Sequence, residues 1–294
     1  MQNYWLNWDA MSNANIKHLL ENATRLLSTN SPSPRLDAEL LMLHTLNRPR
    51  VYLYAHPEAI LTPAQLEQYQ QLLEQRITGM PIAYLTQTRE FWSLPLRVCQ
   101  DTLIPRPETE LLVELALGFL NDVSPANILD LGTGSGAVAL ALASERPDWR
   151  IMAVDKSAKA LDVARDNAVR LGIHNLELLR SDWFEDIPLQ SFNAIVSNPP
   201  YIADHDEHLN QGDVRFEPKE ALVSGKDGLD ALTHIIQHSF KRLKPNGLLL
   251  LEHGYTQGPA VTALLIKTGY QNVRCWPDAQ GHDRISGGWY KNEL

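Results

Sequence analysis

Four consecutive residues, Asn198-Pro199-Pro200-Tyr201, carry the most specific chemistry in the sequence. They follow the apolar run Ile195-Val196-Ser197, which reads as the end of a strand. An amide NH₂, like the amino group of adenine, is a poor nucleophile because its lone pair is delocalised. Two acceptors placed for its two N–H bonds hold such a nitrogen and favour charge building toward an incoming methyl group. Asn198 offers a side-chain oxygen and Pro199 a backbone carbonyl. Pro200 limits the chain's freedom, so both are held before a substrate arrives, and Tyr201 supplies an aromatic face against a planar group. Acceptors that strengthen as charge develops stabilise the transition state more than the ground state. In isolation the tetrapeptide is better read as a rigid turn; its position at a strand end, downstream of a glycine loop, gives it chemical meaning.

That loop is Ile128-Leu129-Asp130-Leu131-Gly132-Thr133-Gly134-Ser135-Gly136, which closes an apolar strand and opens a helix. Glycine suits a sharp turn approached by a ligand, where a Cβ would collide. Asp155 ends the next strand, and an acid there can accept both hydroxyl hydrogens of a ribose. Gly132, Gly134 and Ala137 also satisfy the dinucleotide fingerprint, so the loop alone admits a nicotinamide cofactor as well as S-adenosylmethionine. Asp130 weighs against the first, since it would bring negative charge toward a pyrophosphate; the same acid suits the ammonium of a methionyl group. Farther on, Asp182 can accept from an adenine amino group and Trp183 can cover its ring face, or the pair merely caps a turn and fills core. A sulfonium is its own activated methyl donor, so this chemistry asks for no metal. His234 and His238 share a helix face but lack a third ligand in the sequence, which points to packing.

These residues need a scaffold that brings strand ends together. From residue 126 onward, strand-like runs (127–131, 150–154, 175–180, 192–197, 246–252, 271–276 and 284–290) alternate with helical patterns at 136–146, 157–171, 228–243 and 257–268. That rhythm predicts a doubly wound, Rossmann-like α/β domain with a mainly parallel sheet. The last two strands have no helix between them, which predicts one antiparallel member. A further helix is expected from about 108 to 120. Upstream, Leu36, Leu40 and Leu43 recur behind Ser33-Pro34. Thr62-Pro63-Ala64-Gln65 forms a capping box ahead of Leu66, Tyr69, Leu73 and Ile77, and Gly79 ends that helix. A small helical bundle over 1–86, a hairpin or linker over 87–107 and the α/β domain over 108–294 follow from this pattern. Residues 1–10 fit either a packed strap or a loose extension.

Bulk properties narrow the partners. The net charge is −9 across 294 residues, which argues against a protein built to grip long stretches of nucleic acid. Two cysteines, Cys99 and Cys275, offer neither a disulfide framework nor a zinc site. No apolar run approaches the length of a membrane span, and the first sixteen residues hold neither lysine nor arginine, unlike a targeting peptide. A cytoplasmic protein is expected.

With these motifs in place, the chain resembles the release-factor glutamine methyltransferases, the HemK or PrmC family. The likeness runs from about residue 15 onward. It includes Arg89-Glu90-Phe91-Trp92, Leu103-Ile104-Pro105-Arg106-Pro107-Glu108-Thr109-Glu110, the glycine loop and Asn198-Pro199-Pro200-Tyr201. Gly212-Asp213-Val214-Arg215-Phe216-Glu217-Pro218 and Leu250-Leu251-Glu252-His253-Gly254 belong to it as well. Asn-Pro-Pro-Tyr also occurs in amino-methylating DNA enzymes, so the combination carries the specificity. The resemblance implies a class I methyltransferase domain. In it Asp130, Gly132, Thr133, Gly134, Ser135, Gly136, Asp155, Asp182, Trp183 and Asn198 serve S-adenosylmethionine. Asn198, Pro199, Pro200 and Tyr201 hold a glutamine, with Asn198, Pro199 and Tyr201 catalytic. It further implies that the glutamine lies in the Gly-Gly-Gln loop of class 1 peptide-chain release factors, contacted by the helical leader. The rival is an adenine-amino methyltransferase acting on DNA or RNA, which would need a basic recognition surface.

Overall fold

The computed structural model describes residues 14–291; residues 1–10 lie outside that range. The chain divides into two compact units between Gln87 and Thr88.

The first unit is helical: α1 (Ile16–Leu27), α2 (Pro34–Leu46), α3 (Val51–Ala55), α4 (Pro63–Ile77) and α5 (Ile82–Thr86). α4 starts as the sequence predicts, with the Thr62/Gln65 capping box formed and proline in the first turn. Tyr69 and Leu73 of α4 are buried with Leu19, Leu27, Leu41 and Met42 in one core. The face of α2 departs from expectation. Leu36 is 42% exposed, and the buried side is Asp37, Ala38, Glu39, Leu41 and Met42. The cause is electrostatic. Arg76 reaches Asp37 at 2.8 Å and is buried with it, while Arg35 and Arg50, both about half exposed, reach down to the buried Glu39 at 2.7 and 2.8 Å. Leucine spacing alone therefore selects the wrong stripe.

The second unit opens with a hairpin of β1 (Thr88–Phe91) and β2 (Leu94–Arg97). Its two-residue turn puts both Trp92 and Ser93 at positive φ, 51° and 59°, a geometry in which hairpins favour glycine and asparagine. This hairpin packs as part of the sheet unit: Phe91 and Leu96 are buried in its core. α6 (Glu110–Phe119) leads to a sheet formed by β3 (Asn127–Leu131), β4 (Arg150–Asp155), β5 (Leu176–Arg180), β6 (Phe192–Ser197), β7 (Leu243–Glu252), β8 (Gln271–Pro277) and β9 (Asp283–Trp289). Helices α7 (Ala137–Glu145), α8 (Ala158–Leu171), α9 (Asp230–Ser239) and α10 (Gly258–Thr268) complete the unit. Strand order is β5-β4-β3-β6-β7-β9-β8. The first five positions run parallel, and β9 is antiparallel to both β7 and β8, as expected for the final pair.

One boundary moved. The helix expected over 228–243 stops at Ser239, and β7 already begins at Leu243, paired with Phe192. Lys244-Pro245-Asn246-Gly247 looks like a breaker in the sequence, yet a shift in strand pairing between Phe192 and Ala194 accommodates it.

Candidate active site

Sheet topology decides what meets at the carboxyl ends of the strands. Building outward from β3, the chain adds β4 and β5 on one side and then crosses back to lay β6 against the other. Ligands of doubly wound sheets bind at such a switch point. Register makes this concrete. Leu131 pairs with Val154 on one side and Ser197 on the other, so Gly132, Asp155 and Asn198 leave the sheet side by side. Ser197 pairs in turn with Leu251, which puts Glu252 next in line.

A cleft enclosing about 790 Å³ opens there, solvent at its mouth included. Of the residues singled out from sequence, Gly132, Gly134, Asp155, Asp182, Trp183, Asn198 and Pro200 line it. Gly134 has positive φ and open space where a Cβ would project, so the backbone itself forms the floor. Its N–H donates to Asp155 Oδ2 at 2.9 Å, while the Ser157 N–H donates to Oδ1 at 2.9 Å. A carboxylate accepts about four hydrogen bonds, so each oxygen of Asp155 retains a lone pair for a hydroxyl-bearing ligand. Burial pushes the Asp155 carboxyl above its usual range, and the two N–H donors pull it back.

Other expected residues stand behind the cleft wall. Gly136 serves packing: a Cβ there would come within 2.9 Å of Leu140 and 3.2 Å of Ala164, where α7 meets α8. Thr133 and Ser135 are buried; the Thr133 hydroxyl donates to Asp130 Oδ2 at 2.7 Å, and the Ser135 carbonyl accepts from Asn167 at 2.9 Å. Asp130 is 2% exposed and bound within the loop rather than open to the cleft. Tyr201, expected to present its ring face, packs against the core with its hydroxyl 3.1 Å from Glu252 Oε1. Pro199 is buried and is likewise absent from the lining. His234 and His238 stack on each other at 4.2 Å, next to Phe184.

Sequence reasoning assigned no role to several residues that build the site. Asp101, Thr102 and Leu103 form one wall, and Pro218, Glu220 and Ala221 another. The segments bearing these walls are tied by Arg106, whose Nη2 lies 2.6 Å from Glu217 Oε1. Asn167 of α8 accepts from the Arg97 N–H at 2.7 Å and donates to the carbonyls of Arg97 and Ser135 at 3.0 and 2.9 Å. One buried amide therefore joins the hairpin to the glycine loop. Thr109, 3% exposed, accepts from Asn198 Nδ2 at 3.1 Å.

Burial raises the Asp130 carboxyl to about 7, against the pull of the Thr133 hydroxyl and the Ala139 N–H. The folded state therefore holds a proton on Asp130 that the unfolded chain gives up near its ordinary value. Its stabilising contribution is complete below about pH 4 and is lost as pH rises toward 7. Asp130→Asn keeps the shape and one acceptor oxygen, lets the Thr133 hydroxyl turn to accept from the new NH₂, and cannot ionise. Relative to wild type, the variant should gain on the order of 1–2 kcal/mol between pH 4 and 7, less than the full shift implies because the interior relaxes around a charge. Chemical denaturation of the ligand-free proteins across that range checks it; a difference that does not change with pH contradicts it.

Comparison with known proteins places this architecture. Residues 18–86 match the family model of the PrmC N-terminal domain and residues 109–217 that of the methyltransferase small domain. The release factor glutamine methyltransferase of Escherichia coli K12 is 50% identical over 274 residues, covering 93% of this chain and 98% of that protein. Its namesake from Shewanella oneidensis is 49% identical over 262 residues, covering 89% and 91%. Among solved structures, the hMettl16 catalytic domain in complex with MAT2A 3'UTR hairpin 6 aligns with a TM-score of 0.57 at 14% identity, covering 76% of this chain and 83% of that one. A methyltransferase from Pyrococcus furiosus aligns with a TM-score of 0.51 at 17% identity, covering 76% and 100%. These two establish the fold alone. The extended identity to the curated relatives, across both units, shows that the chain is a methyltransferase belonging to the release factor glutamine methyltransferase family.

Proposed function

We propose that the protein transfers the methyl group of S-adenosyl-L-methionine to the side-chain amide nitrogen of the glutamine in the Gly-Gly-Gln loop of class 1 peptide-chain release factors. The observation that carries this reading is the register that brings Asn198 beside Gly132 and Asp155 at the switch point. The residues present fit the cofactor. Asp155 has lone pairs left for the ribose hydroxyls, Gly134 leaves room where any side chain would intrude, and Asp182 with Trp183 borders the cleft for a purine. When bound, S-adenosylmethionine supplies an already activated methyl group.

The chain's own part is to hold the acceptor. Asn198 Nδ2 is committed to Thr109, so Oδ1 is the end available to accept one N–H of the substrate amide. The Pro199 carbonyl is assigned the other N–H as the backbone acceptor next to Asn198, although Pro199 itself is buried behind the cleft lining. Tyr201 contributes by anchoring the motif: its hydroxyl meets Glu252, and its carbonyl accepts from Gln257 Nε2 at 3.0 Å. Both acceptors strengthen as positive charge grows on the nitrogen, which lowers the barrier rather than merely tightening binding. The helical unit supplies contacts to the release factor away from the reacting amide, and such remote contacts position a weak nucleophile.

Labelled methyl transfer to a folded release factor, to its glutamine-to-alanine variant and to nucleic acid tests the reading. Label is expected on the first alone. A short peptide with the same tripeptide should react poorly, lacking the remote contacts. Label on DNA or RNA would favour the adenine-amino reading instead.

A further inference from the structure

A side-chain amide offers one acceptor oxygen and two N–H donors on a single rigid plane, a set that only asparagine and glutamine carry. Gln257, the residue before α10, spends all three on the backbone of three separate segments. Its Oε1 accepts the Gly254 N–H at 2.8 Å, and its Nε2 donates to the Tyr201 carbonyl at 3.0 Å and the Asp227 carbonyl at 3.2 Å. A backbone N–H can only donate and a carbonyl can only accept, so these partners fix which end of the amide is which. The main chain of Gln257 is anchored as well: its N–H donates to the Gly254 carbonyl at 2.8 Å, and its carbonyl accepts from Val261 at 3.0 Å.

The two carbonyls under Nε2 belong to segments that build the site. Tyr201 closes the Asn198-Pro199-Pro200-Tyr201 motif. Proline fixes φ at 199 and 200 and favours an extended residue ahead of each, so the motif is a stiff arm whose aim depends on its two ends. One end is set by the pairing of Ser197 with Leu251. The other is the Tyr201 carbonyl. Asp227 lies on the run that begins with the cleft-wall residues Pro218, Glu220 and Ala221. Just past the motif the Ile202 N–H donates to Leu222 at 2.8 Å, and the Ile202 carbonyl accepts from Ser224 at 2.9 Å. Gly228 shows how tightly the junction closes: its φ is +76°, and a Cβ there would stand 2.1 Å from the Tyr201 carbonyl oxygen and 2.8 Å from Gln257 Nε2.

We propose that Gln257 is a positioning residue for methyl transfer, its amide clamping the Tyr201 carbonyl to the wall loop and so setting the aim of the Asn198 and Pro199 acceptors. It stands outside the cleft lining and acts through the motif. The clamp rests on the reading of Asn198 and Pro199 as the groups that hold the substrate amide.

Gln257→Glu is nearly isosteric, but its carboxylate has no hydrogen for either carbonyl, whereas its protonated form has one. The facing carbonyls raise the pH at which it takes up that proton. Gln257→Met keeps the length and has no donor at any pH. The clamp predicts that both variants bind S-adenosylmethionine within about twofold of wild type, and that both lower kcat about 10- to 100-fold at about pH 8. As pH falls, the gap to wild type narrows for Gln257→Glu and stays constant for Gln257→Met. Asp227, His253 and Asp283 stand on the segments around this position; they titrate in wild type too, so the ratio to wild type isolates residue 257. If Gln257 served only the stability of the fold, both variants, once folded, would turn over at the wild-type rate at every pH. In an Asn198→Ala background the Gln257→Met loss should shrink, because one of the two acceptors it aims is gone. Wild-type kcat in Gln257→Met, a Gln257→Glu gap that does not change with pH, or an undiminished loss in the Asn198→Ala background overturns the clamp. Should Gln257→Glu not fold, Gln257→Met and its double variant carry the test. An Asn198→Ala enzyme with wild-type turnover would instead overturn the underlying amide-site reading.

Discussion

Asn198→Ala is expected to lower turnover by roughly 10²–10³-fold while leaving S-adenosylmethionine affinity close to wild type. Asn198 lines the cleft beside Gly132, and its Nδ2 is held by Thr109. Alanine therefore deletes an acceptor placed before the substrate arrives, at a point where charge builds only as the new N–C bond forms. Removal of one preorganised hydrogen-bonding group from such a site typically costs about 3–4 kcal/mol of barrier. Michaelis kinetics with saturating cofactor, alongside calorimetric titration of that cofactor, separate the two effects. Turnover that survives near the wild-type value would refute the amide-holding role.

Asp155→Ala acts on the other substrate. Its carboxylate ends β4 and is braced by the Gly134 and Ser157 N–H groups at 2.9 Å each. Loss of charge-assisted hydrogen bonds to a ribose should weaken S-adenosylmethionine binding by ~1.5–3 kcal/mol, or about 10- to 150-fold. Part of that loss will come from the glycine loop, because the Gly134 N–H loses its acceptor. Isothermal titration with folded wild-type and variant proteins measures it, and unchanged affinity would remove Asp155 from the ribose site.

The parts of this site that the sequence reveals are those whose position is set by one strand end. The glycine loop, Asp155 and Asn198 each follow an apolar run, and a parallel sheet necessarily brings such ends to the same edge. Two kinds of information are absent from local pattern. One is the partner contributed by a distant segment: Arg106 and Glu217 are 111 positions apart, and Thr109 and Asn198 are 89 apart. No spacing rule links them. The other is the polar group buried against expectation. The leucine spacing in α2 takes no account of Asp37 and Glu39, which are both buried and paired with arginines. The Trp92-Ser93 turn escaped for a related reason, since neither residue type signals positive φ. Tyr201 shows the same limit at the site itself. Its type suggests an aromatic surface for substrate, and only Glu252 beneath it reveals an anchoring role.

Among the described residues, no helix is long and apolar enough to cross a membrane. The identity of the acceptor is decided most directly by localising the transferred methyl group. A class 1 release factor incubated with the protein and S-adenosylmethionine, then digested and sequenced by tandem mass spectrometry, should carry one added methyl on the side chain of the glutamine in its Gly-Gly-Gln loop and on no other residue. A methyl group on another residue of the factor, or on nucleic acid supplied in the same reaction with the glutamine unmodified, would contradict the account.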